Sequence, residues 1–346
     1  MELLIPEIKR IAESLRLSEE KRRKLADFVR VNSGEMIKSL NHGNIDKLKI
    51  VGIDGGIVRK SLHGFDFILA RAAAVHFEYT NDRITNANYL PSKVPSPKLF
   101  TLESVSDIDY AYFASIIRQK LEIETAKKAA EKFKPDILLL DGSIVPHYTT
   151  KPSSSSPAFN DYEELIASYQ NLYSICEQNK ILLAGVVEDS RSERFCEILK
   201  TKLSKINAQS PEIGILDKTR DTNFLFWLLK EHERTITFDY TGDAEKHQIL
   251  KEFFNKNFYS FYLKTARLDK PVRVDFMEKE AEDRLASVLL SISGQHSSYG
   301  FPSVLIEADA IARMSEQEVD NFYSHILTYA GNIPSVMKLR REQRPF

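Results

Sequence analysis

The sequence predicts an α/β protein: a mixed sheet flanked by helices, with an N-terminal helical arm and insertions. Three observations predict it. Two short apolar runs, "IVGI" at 50–53 and "ILLL" at 137–140, read as buried strands. Each run ends in an aspartate followed by glycine, as Asp54-Gly55 and Asp141-Gly142. Between them, residues 107–133 carry helical spacing that opens on Asp107 and Asp109 and closes before Pro135.

Residues 3–46 read as helical, because Ile8, Ile11, Ala12 and Leu15, then Leu25, Phe28 and Val29, recur at helical spacing. The stretch from Lys47 to Phe77 reads as two strands pairing back on each other about a turn at Gly55-Gly56. "NANYLPSKVPSPKLFTLES" holds three prolines and is expected as loop or edge strand. After the helix and the second strand–Asp–Gly unit, "KPSSSSPAF" is a loop by composition. Residues 161–178 are a helix, "KILLAGVVED" a third buried strand, and residues 220–232 a helix. "FYSFYLKTARLDKPVRVDF" reads as two strands about a turn at Asp269-Lys270-Pro271. Residues 278–292 are amphipathic helix, and "SSYGFPSVLIEADAIARM" is a loop entering a last helix. The expected organisation is an arm at 1–46, one domain with insertions at 47–335, and a basic tail at 336–346.

The chain has 346 residues, 42% hydrophobic and 28% charged, which suits an ordinary soluble core. A formal net charge of -1 removes global basicity as a sign of nucleic-acid binding. Cys176 and Cys196 lie in no CxxC or Cys/His cluster, which argues against a zinc site and suits a reducing cytoplasm. No apolar run reaches membrane-spanning length, and the charged start lacks a signal core.

The carboxylates carry the chemistry. A charge at the end of an apolar strand is costly unless paired or metal-bound. Parallel neighbouring strands would bring Asp54 and Asp141 together, and a divalent cation with a taste for hard oxygen ligands resolves their repulsion. The competing reading is that each aspartate only opens a turn that glycine completes. On the helix, Phe113, Ile117, Leu121 and Glu124 are spaced to share one face, so Glu124 is expected to point inward and Glu122 to be solvated. Glu131 falls on the same face and competes with Glu124. Asp309, among Leu305, Ile306, Ala308, Ala310 and Ile311, is a fourth candidate, with a helix N-cap as its alternative role. A strand Asp, helix Glu, strand Asp and late helix Asp form the ligand pattern of ribonuclease H-like nucleases.

From about Lys47 to Arg313 the chain resembles the NurA family of DNA end-processing nucleases. "VGIDGG", Glu124, "LLDGS", "LAGVVEDSRSERF", "FYLK…RVDF" and "YGFPSVLIEAD" stand in the family's order. Glu188 stands where members often carry lysine, so no basic role passes to it. Asp309 stands where some members carry histidine. The family's loop tyrosine falls on Phe301, with Tyr299 two residues earlier. The resemblance implies a ribonuclease H-like core with Asp54, Glu124, Asp141 and Asp309 as catalytic ligands of Mn²⁺ or Mg²⁺. It implies 5′-to-3′ trimming of double-stranded DNA ends, cleavage of single strands, a homodimer, and a HerA-type hexameric ATPase as partner in repair.

Arg59, Arg191, Lys264 and Arg273 are candidates to neutralise phosphates. Tyr299 and Phe301 are candidates to stack on bases. Gly55 and Gly56, without side chains, would let a DNA backbone approach the metal. Two other readings fit part of the pattern. In an actin-like ATP-binding phosphotransferase "GIDGG" and "LLDGS" would be phosphate loops. In a non-catalytic DNA-end scaffold the carboxylates would be vestiges.

Overall fold

The computed structural model describes residues 4–103, 105–205, 212–253, 255–331 and 333–339. In chain order the helices and strands are α1 (Ile5–Asn32), β1 (Ile37–Ser39), β2 (Lys49–Ser61), β3 (Asp66–Thr80), β4 (Arg83–Leu90), β5 (Lys98–Leu102), α2 (Asp107–Phe133), β6 (Ile137–Asp141), α3 (Phe159–Asn179), β7 (Leu182–Val187), α4 (Arg194–Lys205), α5 (Asp221–Leu228), β8 (Glu233–Thr235), β9 (Phe238–Asp239), β10 (Tyr259–Lys264), β11 (Val272–Phe276), α6 (Glu282–Ser293), α7 (Ser303–Ala312) and α8 (Glu316–Ala330). The fold class is the expected one, a mixed sheet flanked by helices. The basic tail expected from residue 336 lies outside the described residues from position 340 onward.

The chain forms two compact units, one of residues 1–44, 186–243 and 257–302, the other of residues 45–185, 244–256 and 303–346. In the first, antiparallel strands run in the order β1-β8-β10-β11, with β9 on β10. Its core joins Leu25 and Val29 of α1, Phe195 and Leu199 of α4, Phe224 and Leu228 of α5, and Tyr262. The carboxyl-terminal half of α1 is therefore packed, while Ile8, Ile11 and Leu15 on its first half are exposed.

The second unit carries the order β7-β6-β2-β3-β4, with β5 on β3. β2 and β3 pair antiparallel without a break from Lys49↔Glu78 to Ser61↔Asp66. The glycine turn expected at Gly55-Gly56 is thus corrected: the strand runs through both glycines to Ser61. β6 pairs parallel to β2 from Ile50↔Ile137 to Ile53↔Leu140 and then stops at Asp141. There the turn reading holds, because Gly142 takes φ +102°, a conformation that favours glycine. One sequence layout thus has two local causes. The proline-bearing segment from Asn86 to Glu103 supplies edge strands, β4 and β5 both pairing with β3.

Helix α2 forms where its caps say it should. Ser106 accepts a hydrogen bond from the Asp109 amide at 3.1 Å, and the helix ends with Lys134 in the left-handed region. α7 lies against β2 at backbone distance: a Cβ on Gly52 would stand 2.7 Å from the Val304 carbonyl oxygen, and one on Gly56 2.0 Å from that of Ala312. Arg71 of β3 fixes the end of α7, donating to the carbonyls of Ala312 (3.1 Å) and Arg313 and pairing with Glu318 at 2.8 Å.

Candidate active site

The site is built where β6 ends and β2 continues without it. Asp54 and Asp141 each lie one residue past the last paired positions, Ile53 and Leu140. Side chains alternate along an unbroken strand. Gly52, Asp54 and Gly56 therefore share the face covered by α7, and Gly55 faces α2. A Cβ on Gly55 would meet the Glu122 carboxyl, with Oε1 2.5 Å away. The glycines thus make room for α2 and α7. Their expected use as an open approach for DNA is corrected, and so is a phosphate-loop role for "GIDGG", which is regular strand.

Asp54 is buried, and burial pushes its carboxyl pKa above the ordinary value. The Gly55 amide, donating to Oδ1 at 2.7 Å, opposes that shift, and the negative charge of Asp309 adds to it. Asp309, on α7, is half-exposed and accepts from Arg313 at 2.5 Å.

The helical carboxylate over this strand is Glu122. It is 8% exposed, and burial raises its pKa to about 7 against the pull of Arg118, with the Asp54 charge pushing the same way as burial. Arg118, one turn earlier, brings NH1 to 2.9 Å from Oε1. That approach is an ion pair without a well-directed hydrogen bond, and among the described residues Oε1, a buried acceptor, has no hydrogen-bond donor. The Arg118 charge also acts on Asp54 and Asp141.

Two expectations are corrected here. Glu122 was expected to be solvated and is buried. Glu124 was expected inward and is exposed, paired with Lys127 at 2.5 Å and accepting from Ser168 at 2.9 Å. Burial raises its pKa, but those two partners outweigh it and hold the carboxyl below its ordinary value. Glu131 is exposed as well. The physical reason lies in α2, which is covered on two sides. Phe113, Ile117 and Leu121 form a half-buried rim, while Ile116, Ile123, Ala126 and Ala130 are fully buried. Glu122 sits beside that second, alanine-rich stripe. The readable signal for it was the Arg118–Glu122 spacing of four, which pairs on a helix.

The expected DNA contacts divide. Arg59 is exposed on β2, and Arg191 is exposed in the first unit. Tyr299 is 41% exposed. Lys264 is corrected: it is buried, donates to the Asp269 carbonyl and lies 4.0 Å from the Phe226 ring centre. Arg273 is corrected too, since it pairs with the buried Asp275 at 2.9 Å and stacks over Tyr240. Phe301 is core.

Among the described residues no three Asp, Glu, His or Cys side chains already stand together as a metal cage. The donor chemistry nevertheless fits a hard divalent cation: the groups are carboxylates, two are buried against the cost of their own charge, and Glu122 Oε1 accepts no hydrogen bond from the described residues. The pKa of Glu122 also predicts a pH signature. A folded-state value near 7 above an ordinary 4.5 means that its stabilising contribution is complete below pH 4.5 and is lost as pH rises through 7. That gap corresponds to roughly 3 kcal/mol. With divalent ions removed, Glu122→Gln is expected to gain stability over the parent between pH 5 and pH 8 by up to that amount, read from urea unfolding at both values.

A family model for the NurA domain matches residues 48–314. The fold is similar to the NurA nuclease from Sulfolobus solfataricus, with 16% identity over 95% of this chain and 96% of that one and a TM-score of 0.58. A second NurA crystal structure is 12% identical over 94% of this chain and 97% of that one, with a TM-score of 0.53. No curated protein sequence matches the chain.

Proposed function

The chain belongs to the NurA domain family, and from the carboxylates around the end of β6 we infer that it is a divalent-metal-dependent DNA nuclease. The observation that carries the reading is a buried Asp54 within electrostatic reach of Asp309 on α7 and of Glu122, which lies over Gly55, beside the end of β6 where Asp141 stands. Asp54, Glu122 and Asp141 would hold the ion, with Asp309 as a further donor once it leaves Arg313. Mn²⁺ or Mg²⁺ at such a site lowers the pKa of a water and neutralises charge on the phosphate being cut.

The chain's own groups do the rest. Burial keeps Asp54 and Glu122 poorly solvated, so a cation meets them without first stripping much water. Glu122, which releases its proton near pH 7, becomes a full negative donor above that value. Arg71 holds the end of α7 and so keeps Asp309 near β2. Arg59, exposed five residues past Asp54, is the candidate phosphate contact in this unit. Family resemblance supports trimming of double-stranded ends chiefly 5′ to 3′, action on single strands, a homodimer, a HerA-type hexameric ATPase partner, and a cytoplasmic place in DNA repair. Among the described residues no helix is long and apolar enough to cross a membrane.

The test is digestion of end-labelled single- and double-stranded oligonucleotides with Mn²⁺ or Mg²⁺, with and without chelator. Degradation that the chelator stops is expected. No degradation with any divalent ion would favour the scaffold reading instead.

A further inference from the structure

We propose that Arg118 is the site's stand-in cation: it neutralises the carboxylates when no metal is bound, and it turns its guanidinium to a DNA phosphate when the metal takes its place. The proposal rests on the nuclease reading above and adds a residue that the ligand pattern does not contain.

Two observations carry it. The first is position. Arg118 lies 2.9 Å from Glu122 and within electrostatic reach of Asp54 and Asp141, so one side chain serves three carboxylates. The second is an unspent fork. Arg30 grips Glu233 with two hydrogen bonds of 2.8 Å, Arg71 donates to three carbonyls, and Arg273 donates to Ser190 and Asp275. Arg118 has an ion pair by distance, yet no well-directed hydrogen bond joins it to Glu122. Its planar donors, which match phosphate geometry, are held beside Glu122 by charge.

Charge repulsion then drives the side chain out. A divalent cation beside the same carboxylates would repel the guanidinium, because like charges brought together in a partly buried site are poorly screened. The side chain is 38% exposed, so it has a way out toward solvent. A phosphodiester brought to the metal is the anion available there.

The test uses the full-length chain and compares the parent with Arg118→Gln and Arg118→Lys at pH 8.5, above the Glu122 titration. Mn²⁺ affinity is read by titration calorimetry without DNA, and DNA degradation is read at saturating Mn²⁺. Arg118→Gln is expected to bind Mn²⁺ about tenfold more tightly and to degrade DNA about 100-fold more slowly. Arg118→Lys keeps the charge but not the fork, so it is expected to keep the parent's affinity and still lose most of the rate. A residue that merely supported the fold would lower both readings together. Unchanged or weaker Mn²⁺ binding by Arg118→Gln, or full activity in either variant, would overturn the proposal. A parent chain that neither binds Mn²⁺ nor cuts DNA would instead overturn the nuclease reading on which it stands.

Discussion

Asp54→Asn is expected to reduce metal-dependent DNA degradation at least about a thousandfold while leaving the protein folded. The size comes from the chemistry: a metal ligand that helps place several kcal/mol of transition-state stabilisation converts, at 1.36 kcal/mol per tenfold, to at least three decades of rate. The fold should survive because the substitution keeps the shape of the side chain. The amide oxygen can still accept from the Gly55 amide, which now donates to Oδ1 at 2.7 Å. Removing a charge that burial already disfavours should, if anything, raise the melting temperature of the metal-free protein. Loss of activity with equal or higher stability is the signature of a group held for function. A purified Asp54→Asn variant that still degrades DNA would remove Asp54 from the site.

The second large effect separates two glutamates two residues apart on α2. Glu122→Gln is expected to lower degradation at least about 100-fold, and Glu124→Gln to leave it within about threefold. Glu122 is 8% exposed and lies over Gly55, whereas Glu124 is turned to Lys127 and Ser168. Loss of an exposed helical pair such as Glu124–Lys127 costs a few tenths of a kcal/mol. End-labelled digestion of both variants side by side reads the difference. The opposite order of effects would restore Glu124 as the helical donor.

Much of the fold was legible in the sequence because strand–Asp–Gly is a strong local pattern. The bounds of α2 came from Asp107, Asp109 and the stop before Pro135, since acidic first turns and prolines act within a few residues. The identity of the inward glutamate was legible only in the Arg118–Glu122 spacing of four, and apolar periodicity pointed elsewhere. Periodicity weights bulky side chains, so Phe113, Ile117 and Leu121 marked the face, yet the tightest packing on α2 uses Ala126, Ala129 and Ala130. Alanine lets backbones approach but barely registers as hydrophobic.

The glycines after Asp54 misled for a related reason. A glycine pair reads as a turn because backbone freedom is its commonest use. In this strand the glycines are needed for space, which only the position of α2 and α7 reveals. Lys264 and Arg273 show the same limit from the other side: a basic residue in a strand looks like a phosphate contact until Asp269, Phe226, Asp275 and Tyr240 are seen to enclose it.

The central claim is that Asp54 and Glu122 hold a divalent cation beyond the end of β6. Anomalous diffraction from crystals grown with Mn²⁺ tests it most directly. The account predicts a Mn²⁺ peak against the Asp54 and Glu122 carboxylates, with Arg118 moved off Glu122. A peak at Glu124, or a well-ordered site with no Mn²⁺ at a concentration that supports cleavage, would contradict it.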